Sequence, residues 1–172
     1  DDNDGLADQQ EDVNDTGAIE AGETNPLNPD TDGDGRLDGA DNCRLDSNND
    51  QADFDQDLAG DACDPDDDND GLDDTQEDLD GDGFLDPDET SPFDFDTDND
   101  GVTDNLDNCG RVPNPDQINT DQNFNISDAL GDACDLDDDN DGLNDLQEDV
   151  NDDGIKGPLE TNPFNPDSDS DG

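Results

Sequence analysis

The sequence predicts an irregular fold with little regular secondary structure: tandem acidic loops in a disulfide-stapled repeat array. Three observations predict it. The chain carries 58 Asp and Glu against 4 Lys and Arg, a formal net charge of −54 over 172 residues. The acids recur in a fixed register with glycines. Four cysteines form two similar pairs, each an Asp-Asn-Cys followed by a Gly-Asp-Ala-Cys.

Charge and composition come first because they remove most alternatives. Only 24% of residues are hydrophobic, six Phe are the only aromatics, and Trp, Tyr, Met and His are absent. By composition alone this is a disordered acidic chain, since its apolar content cannot fill a core that offsets the entropy of ordering. An ordered state needs another agent. The sign of the charge excludes nucleic acid and anionic membrane as partners, and no apolar run approaches the roughly 20 residues of a membrane span. Residues 1–5 read as the middle of a repeat, so the expectation is a fragment truncated at both ends, in which a missing signal peptide carries no weight.

The agent is legible in the spacing of the acids. Asp66, Asp68, Asp70, Gly71, Asp74 and Glu77 take positions 1, 3, 5, 6, 9 and 12 of a calcium loop. Alternate side chains of a tightly curled loop converge on one point, and glycine permits the sharp turn. Leu72 at position 7 offers its carbonyl, and Glu77 is long enough to close the shell with both oxygens. An all-oxygen set suits a hard cation with six to eight ligands and does not suit a soft metal.

The register recurs from first positions at 12, 30, 53, 66, 78, 96, 119, 137 and 149. The candidate ligands are Asp12, Asn14, Glu20 and Glu23; Asp30, Asp32, Asp34, Asp38 and Asp41; then Asp53, Asp55, Asp57, Asp61 and Asp64. After the loop at 66 come Asp78, Asp80, Asp82, Phe84 through its carbonyl, Asp86 and Glu89, then Asp96, Asp98, Asp100, Asp104 and Asp107. The third group is Asn119, Asp121, Asn123, Asp132 and Asp135; Asp137, Asp139, Asp141, Leu143 through its carbonyl, Asp145 and Glu148; and Asp149, Asn151, Asp153 and Glu160. Partial loops stand at the two ends, Asp2, Asp4, Asp8 and Glu11 at one, Asp167, Asp169 and Asp171 at the other.

Successive starts are 18, 23, 13, 12, 18, 23, 18 and 12 residues apart, so a four-loop unit repeats with a period of 66 and then 71. An insertion within 124–131 accounts for the difference and disturbs the loop from Asn119. Its counterpart from Asp53 lacks glycine at position 6. The chain reads as one region, 1–172, with approximate units 1–65, 66–136 and 137–172. Spacings of 12 or 13 leave no room for helices between loops. The connectors "ETNPLNPD", "ETSPFDFD" and "ETNPFNPD" use Pro to fix a turn, and place Leu27, Phe93 and Phe164 as anchors between neighbouring repeats.

Asp-x-Asp-x-Asp-Gly-x-x-Asp loops, "DNC" and "GDACD" strongly resemble thrombospondin type 3 repeats, and the "TNPxNPD" connectors look like the bacterial version. The resemblance covers essentially the whole chain. It implies loops wrapped around a string of calcium ions, and disulfides joining Cys43 with Cys63 and Cys109 with Cys134. Patterned cysteines without His also favour disulfides over zinc, hence an oxidising compartment. A closed loop of about 20 residues would contribute on the order of 3 kcal/mol in the chain-entropy model, with free thiols as the other reading.

The expected function is a calcium-stiffened stalk, spacer or fibre segment, extracellular or at the cell surface, serving adhesion or filament assembly. Its cofactor is Ca²⁺, about one or more ions per loop, and its partners are copies of itself in a fibre or a cell-surface protein. The alternatives are a dockerin-like docking module, which needs helices in "LADQQEDV", "LDDTQEDL" or "LNDLQEDV", and a disordered acidic calcium buffer. No catalytic residue is expected, because every acid is explained as a ligand and no His accompanies them. Arg36, Arg44, Arg111 and Lys156 read as isolated surface charges, and Asn14 and Asn125 fit the N-glycosylation pattern.

Overall fold

The computed structural model of the chain describes residues 2–123, 128–150, 156–157 and 159–168. Asn125, Asn151, Asp153, Asp169 and Asp171 lie outside them. The chain divides into two compact units, Asp1–Gly81 and Asp82–Gly172. Among the described residues there is no strand. Three single-turn α-helices occur, α1 (Asp8–Glu11), α2 (Asp74–Glu77) and α3 (Asp145–Glu148), with 3-10 turns at Asp38–Ala40, Asp104–Leu106 and Asp121–Asn123.

These short helices fall inside the loops, Asp121–Asn123 at positions 3 to 5 and the others at positions 9 to 12. That placement puts two ligand positions three residues apart on one helical face. The loops ending in Glu11, Glu77 and Glu148 use an α turn, those ending in Asp41 and Asp107 use the tighter 3-10 turn, and those ending in Glu23 and Glu89 use neither. A glutamine stands third in each α turn. Gln10, Gln76 and Gln147 accept the N–H of Ala7, Asp73 and Asn144 at 3.2, 3.1 and 3.0 Å, satisfying a donor that four residues of helix cannot.

Among the described residues six loops are closed at the neck by the backbone, whereas in those from Asp12 and Asp78 the position-9 N–H of Glu20 and Asp86 donates to the carboxylates of Glu23 and Glu89. In the six, the position-9 N–H donates to the carbonyl just before position 1: Asp38 to Pro29 at 3.1 Å, Asp61 to Ala52 at 3.1 Å and Asp74 to Pro65 at 2.9 Å. The second unit repeats this with Asp104 to Phe95 at 3.1 Å, Asp132 to Ile118 at 3.0 Å and Asp145 to Leu136 at 3.0 Å. The closing pair from Asp132 survives the insertion. The neck of this loop is therefore closed despite five more residues in the chain between its ends.

Disulfides join Cys43 to Cys63 in the first unit and Cys109 to Cys134 in the second. Beside each lies an amide lattice in which Asn48 and Gln51 bond Asn42 and Asp41, and Asn114 and Gln117 bond Asn108 and Asp107, all at 2.6–2.7 Å. The glycine of each "GDAC" exists for that lattice. A Cβ on Gly60 would lie 2.6 Å from the Asn42 side chain.

The interior is unusual in kind. Among the described residues the buried hydrophobic side chains are Cys43 and Cys109 alone, and the largest fully buried ones are Glu11, Glu77, Glu148, Asp38, Asp121 and Asp139. The connector anchors expected from the sequence are not buried: Leu27, Phe93 and Phe164 are 81%, 48% and 47% exposed. Connectors are fastened by polar bonds instead, with Asn25, Ser91 and Asn162 donating backbone N–H to the hydroxyls of Thr31, Thr97 and Ser168 at 3.0, 2.9 and 2.8 Å.

Three of the four bases are likewise not isolated. Arg44 donates to the Asp38 carbonyl, Arg111 to those of Asp86 and Glu89, and Lys156 to that of Ser168. Gly60→Ala should destabilise the calcium-loaded chain by about 1–3 kcal/mol, the usual cost of overpacking, read as a lower urea midpoint with an unchanged slope.

Candidate metal centres

The loop backbone curls because each acid accepts the N–H two residues ahead. In the loop from Asp66, Asp68 accepts from Asp70 at 3.0 Å, Asp70 from Leu72 at 2.7 Å, and Asp66 reaches the Gly71 N–H at 3.2 Å. The same three bonds recur from Asp30, Asp96 and Asp137. Partial versions occur at Asp2 and Asp4, at Asp12 and Asn14, and at Asp55 and Asp57. Asp78 accepts from Gly81, Asp82 from Phe84 and Glu89 from Asp86.

This curl brings carboxylates together as groups. Ligand atoms of Asp2, Asp4 and Glu11, of Asp12, Glu20 and Glu23, and of Asp30, Asp32 and Asp34 lie within 4.8 Å of one another. So do those of Asp53, Asp55 and Asp57, and of Asp66, Asp68 and Asp70. Like charges held this close in an interior are costly unless a cation joins them.

The fit to a hard cation rests on oxygens with nothing else to bond. Buried Glu11 Oε2, Asp32 Oδ2, Asp41 Oδ2, Asp53 Oδ1, Asp66 Oδ1, Asp98 Oδ2, Asp107 Oδ2, Asp121 Oδ1 and Asp139 Oδ2 find no donor among the described residues. All lie at predicted ligand positions. Native proteins rarely leave buried polar atoms unpaired, and an all-oxygen set of carboxylates and loop carbonyls is what calcium takes.

Some positions depart from the simple pattern. Leu58 fills the place glycine takes in other loops and keeps the left-handed backbone, φ 89°. In the loop from Asp12, the Thr16 hydroxyl bonds Glu20 at 3.1 Å, and hydrogen bonds from Asn14 above all hold the Glu20 carboxyl below its usual pKa. Asn14 at that place is engaged through both its amide and its carbonyl. Gly157 donates to Glu160 at 2.7 Å. In the inserted loop Asn119 donates to the Leu130 carbonyl at 2.5 Å, while Asp121 is 1% exposed.

Two acids that the loop pattern passed over stand out. At position 2, Thr31, Thr97 and Thr120 donate hydroxyl and N–H to the two oxygens of Asp38, Asp104 and Asp132. Asp67 and Asp138 stand in the threonine's place. Their N–H groups still bond Asp74 and Asp145 at 3.0 Å, but a second carboxylate now faces the first. Asp67 and Asp138 are 5% and 6% exposed, and each keeps one buried oxygen without a donor among the described residues. Burial first, then the charges of Asp74 and Asp61 or Asp145 and Asp132, push both up to about 7. Burial likewise raises Asp139 to about 6, and raises Glu11, Asp32, Asp98 and Glu148. The sequence signal was available in the change from Thr to Asp beside position 1.

A family model for the thrombospondin type 3 repeat matches residues 28–51, 52–77, 94–117 and 121–150. The chain belongs to the thrombospondin type 3 repeat family. No curated protein matches it. The family is one of structural calcium-binding repeats rather than enzymes, and it implies an extracellular calcium-binding repeat region, in keeping with two disulfides. No described helix is long and apolar enough to cross a membrane.

The raised carboxyls set a pH dependence for these repeats. In ion-free protein, protonated Asp67 and Asp138 contribute stability that is present below the ordinary carboxylate range and lost as pH rises through about 7. Ion uptake should release protons at pH 6 and almost none at pH 8.5, as measured by calorimetry in buffers of different ionisation enthalpy. Asp67→Thr should restore the Thr31 arrangement, reduce that release, and stabilise the ion-free chain at pH 8.

Proposed function

We propose that this chain is a calcium-stiffened stalk, spacer or fibre segment outside the cell, used in cell adhesion or filament assembly. One observation carries the reading: the buried interior consists of converging carboxylates where other domains place apolar side chains. The ligands we assign are the acids and amides at positions 1, 3, 5, 9 and 12 of the loops, with the carbonyls of Leu72, Phe84 and Leu143. Bound calcium supplies positive charge and six to eight coordination positions for oxygen. At one ion in each of nine complete loops, the formal charge of −54 falls to about −36. Asp67 and Asp138 are assigned to further shared positions, giving more than one ion per loop there.

The residues themselves perform the mechanical task. Asp74 and Glu77, a turn of helix apart, close the mouth of their loop, and Asp66, Asp68 and Asp70 form its floor. Each loop is thereby a bead of fixed shape, and connectors set the distance to the next. The proposed partners are calcium and either a second copy in a fibre or a cell-surface protein. A dockerin-like reading is disfavoured by four-residue helices, which have no apolar face to dock. A disordered buffer is disfavoured by closed loop necks and paired cysteines.

Calorimetric titration with calcium, alongside small-angle scattering in calcium and in excess chelator, tests the reading. Saturation at about one ion per loop or more, with collapse from an expanded coil to a defined particle, is expected. Weak, non-saturating uptake by a chain expanded in both conditions would leave the acidic buffer as the better account. Glu77→Ala should lower affinity in its own loop at least about tenfold, since even outer-shell partners cost 10–100-fold, while distant repeats keep their ions, as in a one-dimensional array. Loss of structure throughout the chain would contradict that.

A further inference from the structure

Asn69 and Asn140 hold the same place, fourth in their loops, 71 residues apart. Both have left-handed backbone, φ 57° and 55°. Gly33 and Gly81 reach the same conformation at the same loop position with no side chain, φ 85° and 70°. Asparagine tolerates it better than most residues, so backbone alone explains an asparagine here. It does not explain where the amide goes.

The Asn69 amide donates to Asp55 Oδ2, 14 residues back, in the preceding loop. That of Asn140 donates to Asp121 Oδ2, 19 residues back. Asp55 and Asp121 are both third in their loops. The five extra residues of the insertion lie between the second pair of partners, yet the same bond forms. A contact kept across a change in the intervening length belongs to the pairing of the loops, not to local chain geometry. Asp67 and Asp138 mark the same pairing: each is buried between the acids of its own loop and those of the preceding one, Asp61 and Asp64 or Asp132 and Asp135.

Resting on the calcium reading above, we propose that Asn69 and Asn140 are positioning residues that couple paired loops, 53–64 with 66–77 and 119–135 with 137–148, so that filling one prepares the other. Asn69 sits between Asp68 and Asp70. When those carboxylates are drawn to a common centre, the turn at Asn69 is fixed and its amide is presented to Asp55. Asp55 is then held from both sides, its other oxygen accepting the Asp57 N–H at 3.0 Å. By linkage, fixing Asp55 in its own loop returns the same advantage to the later one. Where glycine takes the place, in the loops from Asp30 and Asp78, this side chain is absent.

Asn69→Gly keeps the left-handed turn and removes only the amide. Asn69→Asp keeps a side chain that Asp15 already places at this loop position with φ 56°, but it cannot donate when ionised. The measurement is a calcium titration of the isotopically labelled full chain by NMR, following the Asp57 and Ala59 amides for one loop, Gly71 and Leu72 for its partner, and Gly35 for a loop outside the pair. In the native chain the paired reporters should move over one concentration range. In both variants the Asp57 and Ala59 midpoint should rise at least about fivefold and separate from that of Gly71, with Gly35 unmoved. Coincident, unshifted midpoints in the variants would overturn the coupling while leaving calcium binding intact. A native chain whose reporters do not respond to calcium would overturn the coupling together with the reading it rests on.

Discussion

The mutual repulsion of carboxylates converging in a closed loop governs everything else about this molecule. Most domains balance chain entropy with apolar burial, and this chain has only 24% hydrophobic residues to offer. It buries Glu11, Glu77 and Glu148 instead. Such groups lose hydration without gaining apolar contact, so their burial is unfavourable until a hard cation takes the place of water. Fold and ligand are then a single equilibrium, in which binding free energy is folding free energy.

The polypeptide contributes closure. Backbone bonds at the loop necks, N–H groups turned back onto acids two residues behind, and helical turns carrying the last ligand all act within a dozen residues. The amide lattices and disulfides act over about 20 to 25 residues and bind neighbouring segments of the same unit. Bases share this task. In a chain with four of them, Arg44 and Arg111 hold backbone carbonyls rather than carboxylates.

Much of this was legible in the sequence because loop chemistry is local. The irregular fold with little regular secondary structure follows from acids and glycines at fixed offsets, and the disulfide pairing from the family that those offsets resemble. The three α turns lie within the stretches 6–13, 72–79 and 143–150, the short helix candidates of the sequence, but the 3-10 turns were not visible, since three residues give no periodicity. Leu27, Phe93 and Phe164 misled for a related reason. A recurring apolar residue normally marks a buried face, but an interior of carboxylates and backbone amides has no apolar face to receive it, and these side chains remain substantially exposed. Asp67 and Asp138 escaped notice because the change from Thr to Asp at position 2, though present in the sequence, adds only one more acid among many. Their distinction lies in the oxygen left over once Asp74 and Asp145 accept the N–H groups that threonine supplies elsewhere.

The disulfide across each long repeat has a mechanical consequence. Cys43 and Cys63 are separated by 20 residues in sequence but only 5.6 Å between Cα atoms, whereas that stretch of chain, fully extended, would span about 70 Å. A pull along the chain is carried through the sulfur bridge, and the enclosed segment cannot contribute its slack. The repeat from Cys109 to Cys134 withholds an even longer segment, 25 residues. Reduction would therefore make the chain more extensible under load, so a tether built from these repeats has its maximum reach set by redox state.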